Sequence, residues 1–205
     1  MTFISDILYW ISTGLLIPVI VLLILLFLRS LLLIGTFFGQ YQSMRSNHRE
    51  FDKIVTDVRK MNSMDQILCL IPENTKSPQL KIARKILLNE GGYAMRMKLI
   101  SEYEMYAEKD LSISNILSKL GPMLGLMGTL IPMGPALVGL STGDIASMAY
   151  NMQVAFATTV VGLFSASVGF ITYHVKRRWF VYDINNLEFV SNLIDESDGQ
   201  KKELS

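Results

Sequence analysis

Two threonines are placed where a hydroxyl could do chemistry. Thr129 lies in LGPMLGLMGTLIPMGPALVGL (Leu120–Leu140) and Thr159 in AYNMQVAFATTVVGLFSASVGFITY (Ala149–Tyr173), both strongly apolar runs. A hydroxyl carries one donor and two acceptor lone pairs, which suits it to border a polar cavity inside hydrocarbon. The competing partner is the helix itself, because Thr readily bonds the carbonyl three or four residues back. Each threonine is offset from a stripe of small residues. In the first run Gly121, Gly125, Gly128, Pro132, Pro135 and Gly139 follow steps of 4, 3, 4, 3 and 4. In the second, Asn151, Ala155, Thr158, Gly162, Ser165 and Gly169 follow the same steps. On an α-helix each set holds to one narrow face, and Thr129 and Thr159 fall about 80° from its centre. Faces of this kind let helix backbones approach closely in lipid, so generic helix packing accounts for the stripes without further function. Pro132 and Pro135 are expected to distort the first of these helices.

The residues that are missing narrow the chemistry. The only charged residue between Leu120 and Tyr173 is Asp144, and the only one from Ile7 to Phe38 is Arg29. Proton relays in membranes normally use an ionisable group, so this chain alone is not a complete proton carrier. If it conducts, a partner supplies the carboxylate, and too few helices are present to enclose a pore without oligomerisation. Catalysis is not expected. The glycines of LGPMLGLMGT lack the Lys–Ser/Thr of a phosphate-binding loop, and there is no membrane aspartyl pair or Ser–His arrangement. A single cysteine, Cys69, excludes a disulfide framework and a Cys-based zinc site. His48 and His174 lie far apart, so neither a metal nor a cofactor is expected. A net charge of +1 provides no footprint for nucleic acid.

The elements that must position the threonines are membrane helices. Half of the 205 residues are hydrophobic, 18% are charged and the mean hydropathy is +0.34. A crossing helix needs about 20 apolar residues, and the chain offers three such spans: roughly residues 8–30, Leu120–Leu140 and Ala149–Tyr173. The first run is preceded by no Lys or Arg and is too long for a cleavable signal. STGDIASM, between the second and third spans, reads as a tight turn. Arg45, Arg49, Lys53, Arg59 and Lys60 follow the first span, and Lys176, Arg177 and Arg178 follow the third. The positive-inside rule then places the N-terminus and the Asp144 turn outside. Arg29, Lys176, Arg177, Arg178 and Trp179 read as membrane-interface anchors.

The resulting organisation is all-α. Residues 1–38 form the first span, 39–118 a cytoplasmic helical domain, 119–174 the second and third spans, and 175–205 a cytoplasmic helix and tail. Phe51, Ile54, Val55, Val58 and Met61 recur at helical spacing. IPENTKSP breaks that helix, and another is expected from Gln79 to Asn89, stopped by Gly91–Gly92. A further helix starts near Tyr93 and has no breaker before Gly121, so it should run into the second span. Trp179, Tyr182, Leu187, Val190 and Ile194 carry the third span onward, and the final DESDGQKKELS reads as disordered.

LGPMLGLMGTLIPMGPAL and MAYNMQVAFATTVVGLFSASVGFITYH resemble the second and third spans of the MotA/TolQ/ExbB proton-channel family, and the three-span layout is similar to that of its TolQ and ExbB members. The resemblance implies a pentamer, packed through the small-residue faces, in the cytoplasmic (inner) membrane of a bacterium or archaeon. It also implies two copies of a small single-span partner of the ExbD, TolR or MotB type. In that family the partner's membrane Asp carries the proton, and ion flow moves the partner. Threonines of the family's route map onto Thr129 and Thr159, with Thr158 adjacent. Val154 stands where such proteins often have Glu, and Val168 where they often have Pro. A non-conducting scaffold subunit of a secretion or envelope complex is the competing reading, since it too explains uncharged, closely packed spans.

Overall fold

Pro18 sets the first structural event. In the computed structural model, which describes residues 2–58, 78–88 and 92–203, the first apolar run forms two helices, α1 (Thr2–Gly14) and α2 (Leu16–Val58), parted at Leu15. Proline has no N–H to offer the carbonyl four residues back, and its ring crowds that carbonyl, which here belongs to Gly14. The Leu15 N–H is shared between the carbonyls of Ile11 (3.1 Å) and Ser12 (3.2 Å), and the regular ladder resumes with Val19 N–H donating to Leu15 O at 3.1 Å.

Next come α3 (Pro78–Leu87), α4 (Gly92–Thr142) and α5 (Ile145–Glu203). Pro78 suits the first position of α3, where no N–H is needed. Gly92 starts α4 in the left-handed region, with φ of 71°, a conformation that glycine adopts without penalty. Despite Pro122, Pro132 and Pro135, α4 is continuous. It ends in a Schellman turn: Gly143 has φ of 78°, its N–H donates to Leu140 O, and Asp144 N–H donates to Gly139 O at 2.8 Å. The Asp144 carboxylate then caps α5, accepting from Ser147 N–H at 3.0 Å. The one acidic residue among the apolar runs thus closes the turn.

Every regular element among the described residues is an α-helix, and three helical stretches are long and apolar enough to cross a membrane: Ile7–Gln42, Gly92–Thr142 and Ile145–Ile194. The chain is an all-α multi-pass membrane protein. Two expectations change. The helix expected from Gln79 to Asn89 is Pro78–Leu87, and the tail expected to be disordered is helical through Glu203. Extending a formed helix adds a hydrogen bond per residue with no new nucleus, so a polar tail can follow α5. The part of IPENTKSP before Pro78, together with Cys69 and Met61, falls outside the described residues.

Two compact units result. The membrane unit comprises Met1–Phe37 and Ser112–Tyr173; the second comprises Phe38–Leu111 and His174–Ser205. In the membrane unit the two small-residue stripes face each other across antiparallel α4 and α5. A Cβ added to Gly162 would lie 2.7 Å from Gly121 O and 2.9 Å from Gly125 Cα, and one on Gly169 would lie 2.7 Å from Ser118 N and 2.8 Å from Ser114 O. Lipid offers no hydrophobic drive between helices, so such close backbone approach supplies the dispersion contact that holds them. Against this pair α2 buries a single face, Val19, Leu23, Ser30 and Leu33. Phe27 meets Phe164 with ring centroids 5.7 Å apart.

The second unit has an ordinary apolar core. Leu80, Ala83 and Ile86 of α3 meet Leu99, Ile100 and Tyr103 of α4 and Phe180, Leu187, Val190 and Ile194 of α5. Buried positions 176, 180, 183, 187, 190 and 194 of α5 repeat the steps of four and three seen in the membrane stripe, and Ser191 is buried beside them. Glycine and serine give way there to large apolar side chains, because in water the burial of such side chains itself drives association.

The backbone contact at Gly162 makes a prediction. Gly162→Leu must push α4 and α5 apart and should cost at least the roughly 1–3 kcal/mol of an overpacked core. Gly35→Leu, at a position with open space around it, should leave stability unchanged. Thermal unfolding of the detergent-solubilised protein compares the two.

Candidate functional site

The stripes determine where the threonines point. Gly128 packs on Thr158: a Cβ added to Gly128 would lie 2.6 Å from Thr158 Oγ1 and 2.7 Å from Thr158 Cβ. Thr129 and Thr159 are the next residues, so both lie at one level of the helix pair. A step of one residue turns about 100° along each chain direction. In an antiparallel pair these two turns carry both residues to the same side of the two-helix layer. Thr129 and Thr159 are each half-buried there, beside exposed Leu126, Met133, Phe156 and Leu163. Thr158 differs: it is 8% exposed and sealed in the seam beneath Gly128, off the face that the other two share.

Each hydroxyl has its proton committed. Thr129 Oγ1 donates to Leu126 O at 2.7 Å and Thr159 Oγ1 to Ala155 O at 3.1 Å. Thr158 Oγ1 lies 2.9 Å from Ala155 O and 3.1 Å from Val154 O. A hydroxyl that donates to its own backbone keeps its lone pairs. On this face Thr129 and Thr159 therefore present acceptors, suited to a water or to a protonated carboxyl, in an apolar surround. Of the stripe residues, Gly121, Gly125, Gly128, Pro132, Gly139, Ala155, Gly162, Ser165 and Gly169 are buried and Pro135 is half-buried. They are engaged within one chain and are closed to other partners there.

The expected anchors divide. Arg29, Arg177 and Arg178 are exposed, and Trp179 is half-buried with its ring centroid 5.6 Å from that of Tyr41. Lys176 departs from the expectation. It is turned inward, 3% exposed, with Nζ 2.9 Å from Asp110 Oδ2, because it occupies the buried register of α5 rather than its outer face. Two more polar contacts lie in the same unit: Tyr103 Oη donates to Asp183 Oδ2 at 2.6 Å, and Arg96 Nε donates to Ser191 Oγ at 3.2 Å. Burial, with Asp183 next to it, pushes the Tyr103 phenol well above its usual value. Sequence reasoning missed these pairs, although the four–three spacing that marked the membrane stripe continues through Lys176 and Asp183.

The spans thus form a closely packed helix pair, with two hydroxyls on one side and no acidic or lysine side chain, within a multi-pass membrane protein. The sequence profile of the MotA/TolQ/ExbB proton channel family matches residues 77–188. That is more than half of the chain, and the chain belongs to this family. The match begins at α3 and takes in α4 and much of α5, including both threonines, and leaves the first span outside. No curated protein matches the sequence.

The Tyr103–Asp183 pair makes a second prediction. Tyr103→Phe takes the phenol donor away from the buried Asp183 carboxylate and should cost about 1–3 kcal/mol, whereas Tyr103→Phe with Asp183→Asn, which removes the buried charge, should recover part of the loss. Because the folded phenol titrates above its unfolded value, its contribution is fully present below about pH 10 and is lost as pH rises beyond it. Thermal unfolding of both variants, and of the wild type across that pH range, checks both statements.

Proposed function

We propose that this chain is the channel subunit of an energy-transducing motor in the inner membrane. It works as a pentamer around two copies of a small single-span protein whose membrane Asp carries the ion, most simply a proton. Ion flow past Thr129 and Thr159 changes the charge on that Asp, and the resulting movement of the partner performs the work. The N-terminus and the Asp144 turn face outward, and the 39–118 segment and C-terminal helix lie in the cytoplasm, a reading that the distribution of Lys and Arg supports. The chain is not an enzyme.

The observation that carries the reading is the placement of two acceptor hydroxyls on one side of the α4–α5 layer, in a chain of this family whose spans contain no carboxylate. An acceptor hydroxyl stabilises a protonated carboxyl by hydrogen bonding, and a partner Asp must be neutral to pass an apolar wall. Two threonines at one level provide such a station without placing a competing charge in hydrocarbon. The scaffold reading accounts equally for the uncharged, closely packed spans, and it draws further on the bonding of both hydroxyls to their own helices.

The two readings separate by experiment. Each hydrogen bond to the passing group contributes about 1 kcal/mol, so Thr129→Val with Thr159→Val should lower partner-dependent proton flux in proteoliposomes by roughly thirtyfold, with the complex still assembled. Native mass spectrometry of the complex should give five copies of this chain and two of a single-span protein with a membrane Asp. Unchanged flux in the double variant, or a complex lacking such a partner, would favour the scaffold.

A further inference from the structure

A second site lies just beyond the third span. In the unit that contains Phe38–Leu111 and His174–Ser205, α2 and α5 border a groove of about 950 Å³, and Tyr41, His174, Arg177, Arg178, Trp179 and Asn185 are among the residues that line it. The volume is that of a small-molecule site. None of the described residues that line it is acidic. Arg177 and Arg178 are exposed, and neither is ion-paired among the described residues. The nearby carboxylates are engaged elsewhere: Asp110 holds Lys176 and Asp183 accepts from Tyr103. Among the described residues, two adjacent guanidinium groups are thus without an acidic partner, beside a wall made by the Tyr41 and Trp179 rings.

The depth of the groove selects its occupant. The apolar run ends at Tyr173, and at 1.5 Å per residue Arg177 and Arg178 lie about 6 and 7.5 Å further along α5. The polar layer of a bilayer outside its hydrocarbon is about 5–8 Å thick on each side. The two cations therefore stand at the level of lipid phosphates. Arg binds phosphate oxygens through paired N–H donors, tryptophan and tyrosine rings sit comfortably at this depth, and basic pockets of membrane helices take anionic headgroups. We propose that this groove holds the phosphodiester headgroup of an anionic phospholipid, with Arg177 and Arg178 on the phosphate and the Tyr41–Trp179 wall against the glycerol. The inference does not depend on the channel reading, since a scaffold would carry the same site.

The test uses the full complex, extracted from its membrane in detergent and titrated with phosphatidylglycerol or phosphatidylcholine under native mass spectrometry. The wild type should retain phosphatidylglycerol in preference to phosphatidylcholine. Arg177→Gln with Arg178→Gln should weaken phosphatidylglycerol binding at least tenfold, while Arg29→Gln, which removes an exposed arginine outside the groove, should leave it unchanged. Arg177→Lys with Arg178→Lys keeps the charge and should retain the preference with several-fold weaker binding, which guards against misfolding of the glutamine variant. The proposal is overturned by equal uptake of the two lipids, by equal losses in the Arg29 and groove variants, or by no adduct in the assembled complex, as when a second copy covers the groove. Full displacement of the lipid by inorganic phosphate would also overturn it, marking a free-anion site instead.

Discussion

Hydrocarbon does not reward the burial of one apolar helix on another, and the architecture of this protein follows from that constraint. Two helices that must stay together in lipid do so by bringing their backbones close, and only residues without bulk permit it. The approach of Gly162 to Gly121 and Gly125, and of Gly169 to Ser114 and Ser118, is that contact. It holds α4 and α5 in antiparallel alignment, and the Gly143–Asp144 turn joins them. Once the seam is closed, neighbouring residues have no choice of direction. Thr158 is sealed under Gly128, and Thr129 and Thr159 emerge together on one side.

The same helices change their means of association where the solvent changes. Along α5 the buried register holds Ala155, Thr158, Gly162, Ser165 and Gly169 in the membrane unit, then Phe180, Leu187, Val190 and Ile194 in the other. In water, large apolar side chains supply the drive and glycine would waste it. Lys176 and Asp183 interrupt the apolar series, each with a polar partner on α4. Buried pairs of this kind contribute little net stability, yet a mismatched alignment would leave a charge unpaired at considerable cost. They therefore penalise a slipped register, in keeping with the alignment set by the glycines in the membrane unit.

The spans of this chain offer hydroxyls and no carboxylates, and Val154 stands where the resemblance places a Glu in many members of the family. Acceptor lone pairs can stabilise a neutral carboxyl by hydrogen bonding without adding a charge to hydrocarbon. The commitment of each threonine proton to its own helix is thus compatible with function as well as with ordinary packing, because the lone pairs remain available.

Much of this was legible without coordinates. Hydropathy and the placement of charge gave the three crossing helices, because a bilayer tolerates neither interior charge nor a short span. The four–three spacing of small residues marked the faces that pack, and Gly92, Gly143 and Asp144 marked the helix ends through their backbone preferences. Other features depended on which partner each face met, and a single-helix period cannot encode that. The sequence could not say that the two stripes face each other within one chain and so are unavailable to a neighbouring copy. Nor could it place Lys176 beside Asp110 rather than at the interface, or separate Thr158 from Thr159, whose types and surroundings are nearly the same. The break at Leu15 was within reach, since Pro18 removes the bond that Gly14 needs. Periodicity and composition thus determined which residues enter the membrane and which faces are small; the tertiary structure decided what those faces touch, because contact depends on the rotation and alignment of two helices together.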